Sequence, residues 1–139
     1  MNKNMSNMNW VSGSLSHLIA NEEYAAAARR LRHPHGWFKL MHDFGTAGGE
    51  MGQTTLIIFA MENGVAVGQM VIDKDKRAGI FVDPAHRRRG VGSLLIQHAF
   101  GLVGMGMSVC PDNYDGRRFF AQHELALGLR IRDEYQAFA

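Results

Sequence analysis

The stretch Ile80-Phe-Val-Asp-Pro-Ala-His-Arg-Arg-Arg-Gly-Val-Gly-Ser-Leu-Leu-Ile96 decides the fold. Its apolar start, Ile80 to Val82, reads as a buried strand, and Asp83-Pro84 ends it because proline cannot donate to a sheet ladder. A basic, glycine-punctuated turn then opens directly into Val91, Leu94, Leu95, Ala99 and Leu102, which repeat along one face of a helix. Strand, turn and helix start together aim a row of backbone N–H groups, reinforced by the helix dipole, at whatever lies above the turn. Gly90 and Gly92 allow a ligand close to the main chain, and Arg87, Arg88 and Arg89 favour an anion there. The pattern predicts a phosphate cradle over Arg87 to Ser93.

Spacing excludes two common cradles. No Lys follows Gly92, as the Walker pattern requires, and the position three past Gly92 is Leu95 where the dinucleotide fingerprint needs Gly. What remains, Arg87-x-x-Gly90-x-Gly92, resembles the Arg/Gln-x-x-Gly-x-Gly/Ala signature of the GNAT (Gcn5-related N-acetyltransferase) superfamily. Upstream, Thr54 to Ala60 and Val65 to Ile72 are β-rich runs joined by Met61-Glu-Asn-Gly64, a hairpin signal. A third strand, Ala78 to Val82, follows the polar turn Asp73 to Arg77. Downstream, Met107 to Cys110 reads as a strand ended by Pro111. Asn113-x-x-Gly116-x-x-Phe119-Phe120 then resembles the family's second motif, Asn-x-x-Ala-x-x-Phe/Leu-Tyr. From residue 54 onward the order of elements is that of the GNAT core.

The resemblance implies an α/β (α+β) fold in which a central mixed, mostly antiparallel sheet is flanked by helices and a splayed strand pair holds acetyl-CoA. The cofactor residues it implies are Phe81, Val82, Arg87, Arg88, Arg89, Gly90, Val91, Gly92, Ser93 and Asn113. Ala78 to Val82 and Met107 to Cys110 are the strands expected to splay, since Asp83-Pro84 and Pro111 end their pairing. The chemistry it implies is direct transfer, in which a deprotonated primary amine attacks the acetyl carbonyl while a backbone N–H near Val82 polarises it. A base is needed because an alkyl ammonium has a pKa of ~10.4. Asp73, Asp43 and Glu50 are the candidates. Thiolate protonation falls to Tyr114, Cys110 or water, because Phe120 stands where the family often has a proton-donating tyrosine. The next glycine after Phe120 is Gly128, so the last helix is expected to be long, and Leu129 to Phe138 reads as one strand where the family has a hairpin.

Composition fits this reading. The chain has 139 residues, of which 46% are hydrophobic and 20% charged, as suits one globular domain. We expect a single domain over 1–139 with a flexible 1–12. No apolar run reaches the ~20 residues of a membrane span, the terminus Met1 to Met8 lacks the apolar core of a signal peptide, and the lone Cys110 forms no internal disulfide. Together these suggest a cytoplasmic protein. The net charge of +2 excludes a general polyanion binder, although arginine outnumbers lysine eleven to four. Arg117 and Arg118 read either as phosphate neighbours or as a solvated helix face. Basic residues interleaved with exposed aromatics are lacking, so nucleic acid is the weaker partner reading. The partner implied is a small-molecule or peptide amine, and a homodimer is compatible with the fold.

Before the core, Leu15, Leu18, Ile19, Glu22, Ala25, Ala26 and Arg29 follow helical spacing, with Ser14 or Ser12 as cap and His33-Pro34 as stop. Trp37, Phe38, Leu40, Met41 and Phe44 suggest a second short helix, which in the family would line the acceptor pocket. His33, His35, His42 and Asp43 are ligand types, but no partner pair at zinc spacing accompanies them, so no metal is expected. His98 falls on the apolar helix face as a core histidine, and His86 either meets phosphate or caps its turn. Two other functions remain open: a GNAT-fold protein that binds coenzyme A without transfer, and a GNAT-like enzyme that modifies nucleic acid.

Overall fold

Asn63 and Gly64 both take left-handed backbone angles, φ 54° and 77°. This is the two-residue hairpin geometry that matches the twist of the flanking strands. In the computed structural model, which describes residues 8–31, 53–87, 89–111 and 114–132, the turn joins β2 (Leu56–Glu62) to β3 (Val65–Ile72). With β1 (Met8–Ser14), β4 (Arg77–Val82), β5 (Ser108–Val109) and β6 (Arg130–Ile131) they form one sheet in the order β1-β2-β3-β4-β5-β6. The first four strands pair antiparallel, and β5 pairs parallel with β4 and with β6. The mixed, mostly antiparallel sheet is therefore as expected.

Successive side chains of β2 bury on opposite faces of this sheet. Ile58 and Ala60 join Met70 and Ile72 beneath α3 (Val91–Val103), whose buried stripe is Val91, Leu95, Ile96 and Ala99. Ile57, Phe59 and Met61 join Leu15, Leu18 and Leu31 from the segment of α1 (Leu15–Ala20) and α2 (Glu22–Arg30). Burial on both faces explains why β2 and β3 read as continuous apolar runs rather than alternating ones. Leu95 is fully buried, so Leu95→Ala should cost ~2–5 kcal/mol. Gly68 lets α3 come down onto β3, since a Cβ there would lie 2.9 Å from Leu95 Cδ1 and 3.1 Å from Val91 Cγ1.

Three sequence expectations change. Residues 8–12, read as part of a flexible terminus, belong to β1, which pairs with β2 over its whole length from Met8↔Glu62 to Ser14↔Leu56. The run carries little β signal of its own, and β2 supplies the template. The helix expected to run on from Leu15 is broken at Asn21, whose side-chain oxygen accepts from Glu23 N–H at 3.0 Å while its own N–H donates to Leu18 C=O. An asparagine in this arrangement ends one helix and caps the next. Ser14 caps α1 as expected, accepting from His17 N–H. The expected long last helix is instead α4 (Tyr114–Ala121), a turn at Gln122 and His123, and α5 (Glu124–Leu127), closed by Gly128 at φ 63°. No helix among the described residues is long and apolar enough to cross a membrane.

Candidate active site

β4 bonds differently at its two ends. Asp73 N–H donates to Arg77 C=O (3.0 Å) and Asp83 N–H to Val67 C=O (2.9 Å), so the odd-numbered residues of β4 turn their peptide groups toward β3. Ala78, Ile80 and Val82 therefore turn theirs toward the opposite edge. On that edge β5 pairs only with Arg77 and Ala78, and Ser108 N–H reaches back to Lys76 C=O at 2.8 Å. Beyond Val109 the chain reaches Cys110 and Pro111, and among the described residues no strand stands opposite Ile80 and Val82. The pair is joined at one end and open at the other, in the splayed form the sequence suggests.

This alternation sorts the expected cofactor residues of β4. Phe81 directs its peptide groups to β3, so the groups facing the gap are those of Ile80 and Val82. The Val82 carbonyl is occupied, since Arg87 Nε donates to it at 3.0 Å. Ile80 N–H, Ile80 C=O and Val82 N–H face the gap. Ile80 stood in the quoted stretch, and counting back two residues from Val82 along the strand period would have identified it.

The cradle lies just past the open end. Asp83 caps a single 3₁₀ turn, Pro84–His86, and Gly90 at φ 85° leads into α3. A left-handed residue is needed to turn the chain there, which glycine supplies without strain. Leu94 N–H makes the first bond of α3, to Gly90 C=O. The N–H groups of Val91, Gly92 and Ser93 precede it and have no earlier turn to bond to, and such a helix end favours an anion.

The arginines divide their roles. Arg87 is exposed, with its guanidinium 5.5 Å from the centre of the Phe81 ring. Arg89 was expected to hold cofactor, but its Nη2 donates to Glu62 Oε2 at 2.6 Å, tying the cradle to the end of β2. His86 stands between two acids, 3.1 Å from Asp83 Oδ2 and 3.9 Å from Glu62 Oε1. Position within the cradle suggested a phosphate ligand in sequence, and only the return of β2 beside the loop reveals the tether. Arg117 and Arg118 are exposed. Arg88, Asn113 and the side chain of Tyr114 lie outside the described residues, as do Trp37, Phe38, Asp43, Phe44 and Glu50 of the expected acceptor segment and the ligand types His33, His35 and His42.

Gly92 has a second reason to be glycine. A Cβ there would come within 2.9 Å of the Phe119 ring, so α4 packs directly on the first turn of α3. Ser93 Oγ lies 3.4 Å from Nε2 of His123, which is 9% exposed and whose burial lowers its pKa. Phe120, at the family's tyrosine position, is 6% exposed and packs with the core beneath α3. His98 also packs, stacked on Trp10 with ring centres 4.8 Å apart.

Asp73, the candidate base among the described residues, is engaged in its own turn. Its Oδ1 accepts from Asp75 N–H and Arg77 N–H, both at 2.9 Å, which fixes the β3–β4 turn. That turn is at the opposite end of β4 from the cradle, ~17 Å away at ~3.4 Å per residue.

Comparison with known proteins agrees with this layout. Residues 53–124 match the family model described as the Acetyltransferase (GNAT) domain. Among solved structures, the chain is similar to the aminoglycoside N-acetyltransferase AAC(6')-Iy in complex with a bisubstrate analogue, with TM-score 0.52 and 22% identity over 90% of this chain and 92% of that one. It is similar to a ribosomal-protein-alanine N-acetyltransferase from Brucella melitensis, with TM-score 0.57 and 14% identity over 83% and 89% of the two chains. It also resembles an aminoglycoside acetyltransferase from an uncultured soil metagenomic sample, with TM-score 0.53 and 16% identity over 86% and 90%. These likenesses establish a shared fold. No curated protein matches the chain in sequence.

Proposed function

The chain belongs to the GNAT acetyltransferase family, and from that premise we propose that it transfers an acetyl group from acetyl-CoA to a primary amine. The observation that carries this reading is the open edge at Ile80 and Val82, directly beside the first turn of α3. A ligand with a polyanionic end and a peptide-like arm suits such a surface. The pyrophosphate would meet the N–H groups of Val91, Gly92 and Ser93, and the amides of the arm would bond along β4 as a missing strand does. Acetyl-CoA has both parts.

The chemistry follows from the same edge. An amine nitrogen attacks the thioester carbonyl, a C–N bond forms, and the carbonyl oxygen takes up negative charge. A β4 N–H turned into the gap would stabilise that oxygen, an effect worth ~2.7–4 kcal/mol where it has been removed from other enzymes. The C–S bond then breaks, the coenzyme leaves as thiolate and takes a proton, and the amine loses one. Cys110, partly buried just past β5, is a candidate to supply that proton. Tyr114 remains a candidate for the same step, and Asp43 and Glu50 for the base. The aminoglycoside and ribosomal-protein acetyltransferases of similar fold suggest a small-molecule or peptide amine as acceptor.

A second reading is a module that binds coenzyme A without transfer. One observation favours it: the buried Phe120 offers no proton where the family often has tyrosine. Calorimetry with acetyl-CoA, followed by mass spectrometry of an amine panel and of nucleic acid, separates the readings. Binding with a 42-dalton gain on an amine supports transfer. Binding with no gain supports the second reading, and failure to bind sinks both.

A further inference from the structure

The sheet face covered by α1 and α2 contains a polar side chain that nothing among the described residues satisfies. Gln69, in the middle of β3, is 1% exposed, and among the described residues neither its amide oxygen nor its amide nitrogen has a hydrogen-bond partner. Its cross-strand neighbours are Phe59 on β2 and Phe81 on β4, which share its face of the sheet. Both belong to the apolar cluster on that side with Ile57, Met61 and Val71. A carboxamide has two N–H donors and an acceptor oxygen, and aromatic and aliphatic neighbours answer none of them. Buried groups left in this state are rare in native proteins and call for a reason. An apolar residue would serve packing better at this position.

The register places the amide beside the reaction. Gln69 pairs with Phe81, which lies between Ile80 and Val82, the two residues whose peptide groups face the gap. With strands ~4.8 Å apart, Gln69 lies roughly 10 Å from the line that β5 would occupy if it continued. It stands on the sheet face opposite α3 and beneath α1 and α2, so an acceptor would reach it from the open edge of β4 and not across the cradle helix.

We propose that Gln69 reads the acceptor: its amide bonds a neutral group that both donates and accepts, a carboxamide or a hydroxyl, located within roughly 10 Å of the amine to be acetylated. Being neutral, it cannot offset a buried charge, so it selects for a polar uncharged group and not for a second ammonium or a carboxylate. Glu62 and Asp83, the acids near the cradle, face Arg89 and His86, so they do not alter this preference. This inference rests on the transfer reading for the identity of its ligand, and its test is therefore read by binding.

The CoA-loaded protein is titrated by calorimetry with aminohexanamide, aminohexanol and hexylamine, as wild type and as Gln69→Leu. Wild type should bind the amide or the alcohol roughly tenfold more tightly than hexylamine, and the two arms tell a carboxamide from a hydroxyl. Gln69→Leu should erase that preference, leave coenzyme A affinity unchanged, and hold or raise the melting temperature of the ligand-free protein. Equal or absent binding of the three probes by wild type would overturn the proposal, as would a preference that survives in the variant. A lower melting temperature in Gln69→Leu would also overturn it, because the amide would then be satisfied within the chain. Selective binding without acetyl transfer would sink the transfer reading and leave the assignment of Gln69 standing.

Discussion

At Arg77 and Ala78, β4 has a strand on each side, whereas at Ile80 and Val82 it has only β3 among the described residues. Both belong to one short strand, and Ala78 at the closed end is apolar like Ile80 and Val82 at the open end, so hydrophobicity alone does not separate them. What separates them is the length of β5, which stops at Val109 before Cys110 and Pro111. Proline lacks the N–H that a continuing ladder would use. The closed end is held by polar groups of the chain itself, with Asp73 accepting from two backbone N–H groups and Lys76 Nζ donating to Met105 C=O at 2.8 Å. The open end leaves the peptide groups of Ile80 and Val82 turned to the gap, where the proposed ligand would bond. In the proposed reading function lies in a ladder left incomplete, with the cradle, its tether and Gln69 arranged around the missing part.

The largest effect that would break this picture is expected at Gly92. Gly92→Val places a branched side chain into the Phe119 ring, so we predict a loss of ~1–3 kcal/mol of stability together with loss of acetyl-CoA binding. Combining it with Phe119→Leu should restore much of the stability without restoring binding. Binding regained in the double variant would mean that Gly92 serves packing alone.

Next is the tether. Glu62→Gln removes the ion pair that holds Arg89, both side chains being part-buried. We expect acetyl-CoA affinity to weaken roughly fivefold and stability to fall by ~1–2 kcal/mol. Exchanging the charges, Glu62→Arg with Arg89→Glu, should recover part of both, as measured by calorimetry and urea unfolding. A gain in affinity for Glu62→Gln would instead show that Glu62 holds Arg89 away from phosphate.

At the closed end, Asp73→Ala should cost ~1 kcal/mol through its turn while the pH dependence of kcat/KM stays as in wild type. Disappearance of the limb that reports the base would return Asp73 to the mechanism.

The smallest effect concerns His123. Burial lowers its pKa, so the folded protein favours the neutral ring. Above the unfolded value of ~6.5 both states are neutral and nothing is lost; as pH falls below it, the unfolded chain binds a proton that the folded one resists, and stability declines. Urea midpoints between pH 7.5 and 5.5 should therefore fall less in His123→Gln than in wild type. An equal fall would assign the acid sensitivity to other groups.

Much of this architecture was readable from residues. The Asn63-Gly64 hairpin, the strand before Asp83-Pro84 and the helix after Gly90 announce themselves through local chemistry, because turn geometry and helical spacing depend on near neighbours. β1 did not, since its pairing is imposed by β2 from more than forty positions away. The cradle was legible as a loop, but the role of each side chain in it was not. Arg89 meets Glu62 only because β2 ends beside the turn, and Gly92 meets Phe119 only because α4 returns to it. Gln69 gave no signal at all, since one polar residue in an apolar strand becomes informative only when its neighbours are known to be Phe59 and Phe81.

Amide hydrogen exchange along β4, with and without acetyl-CoA, tests the central claim most directly. Ala78 faces β5 and should be protected in both states, while Ile80 and Val82 should exchange readily alone and become protected when acetyl-CoA binds. Protection gained at Ile80 and Val82, with Ala78 unchanged, is the result expected if the ligand completes the sheet. Binding of acetyl-CoA that leaves Ile80 and Val82 exchanging as before would contradict it.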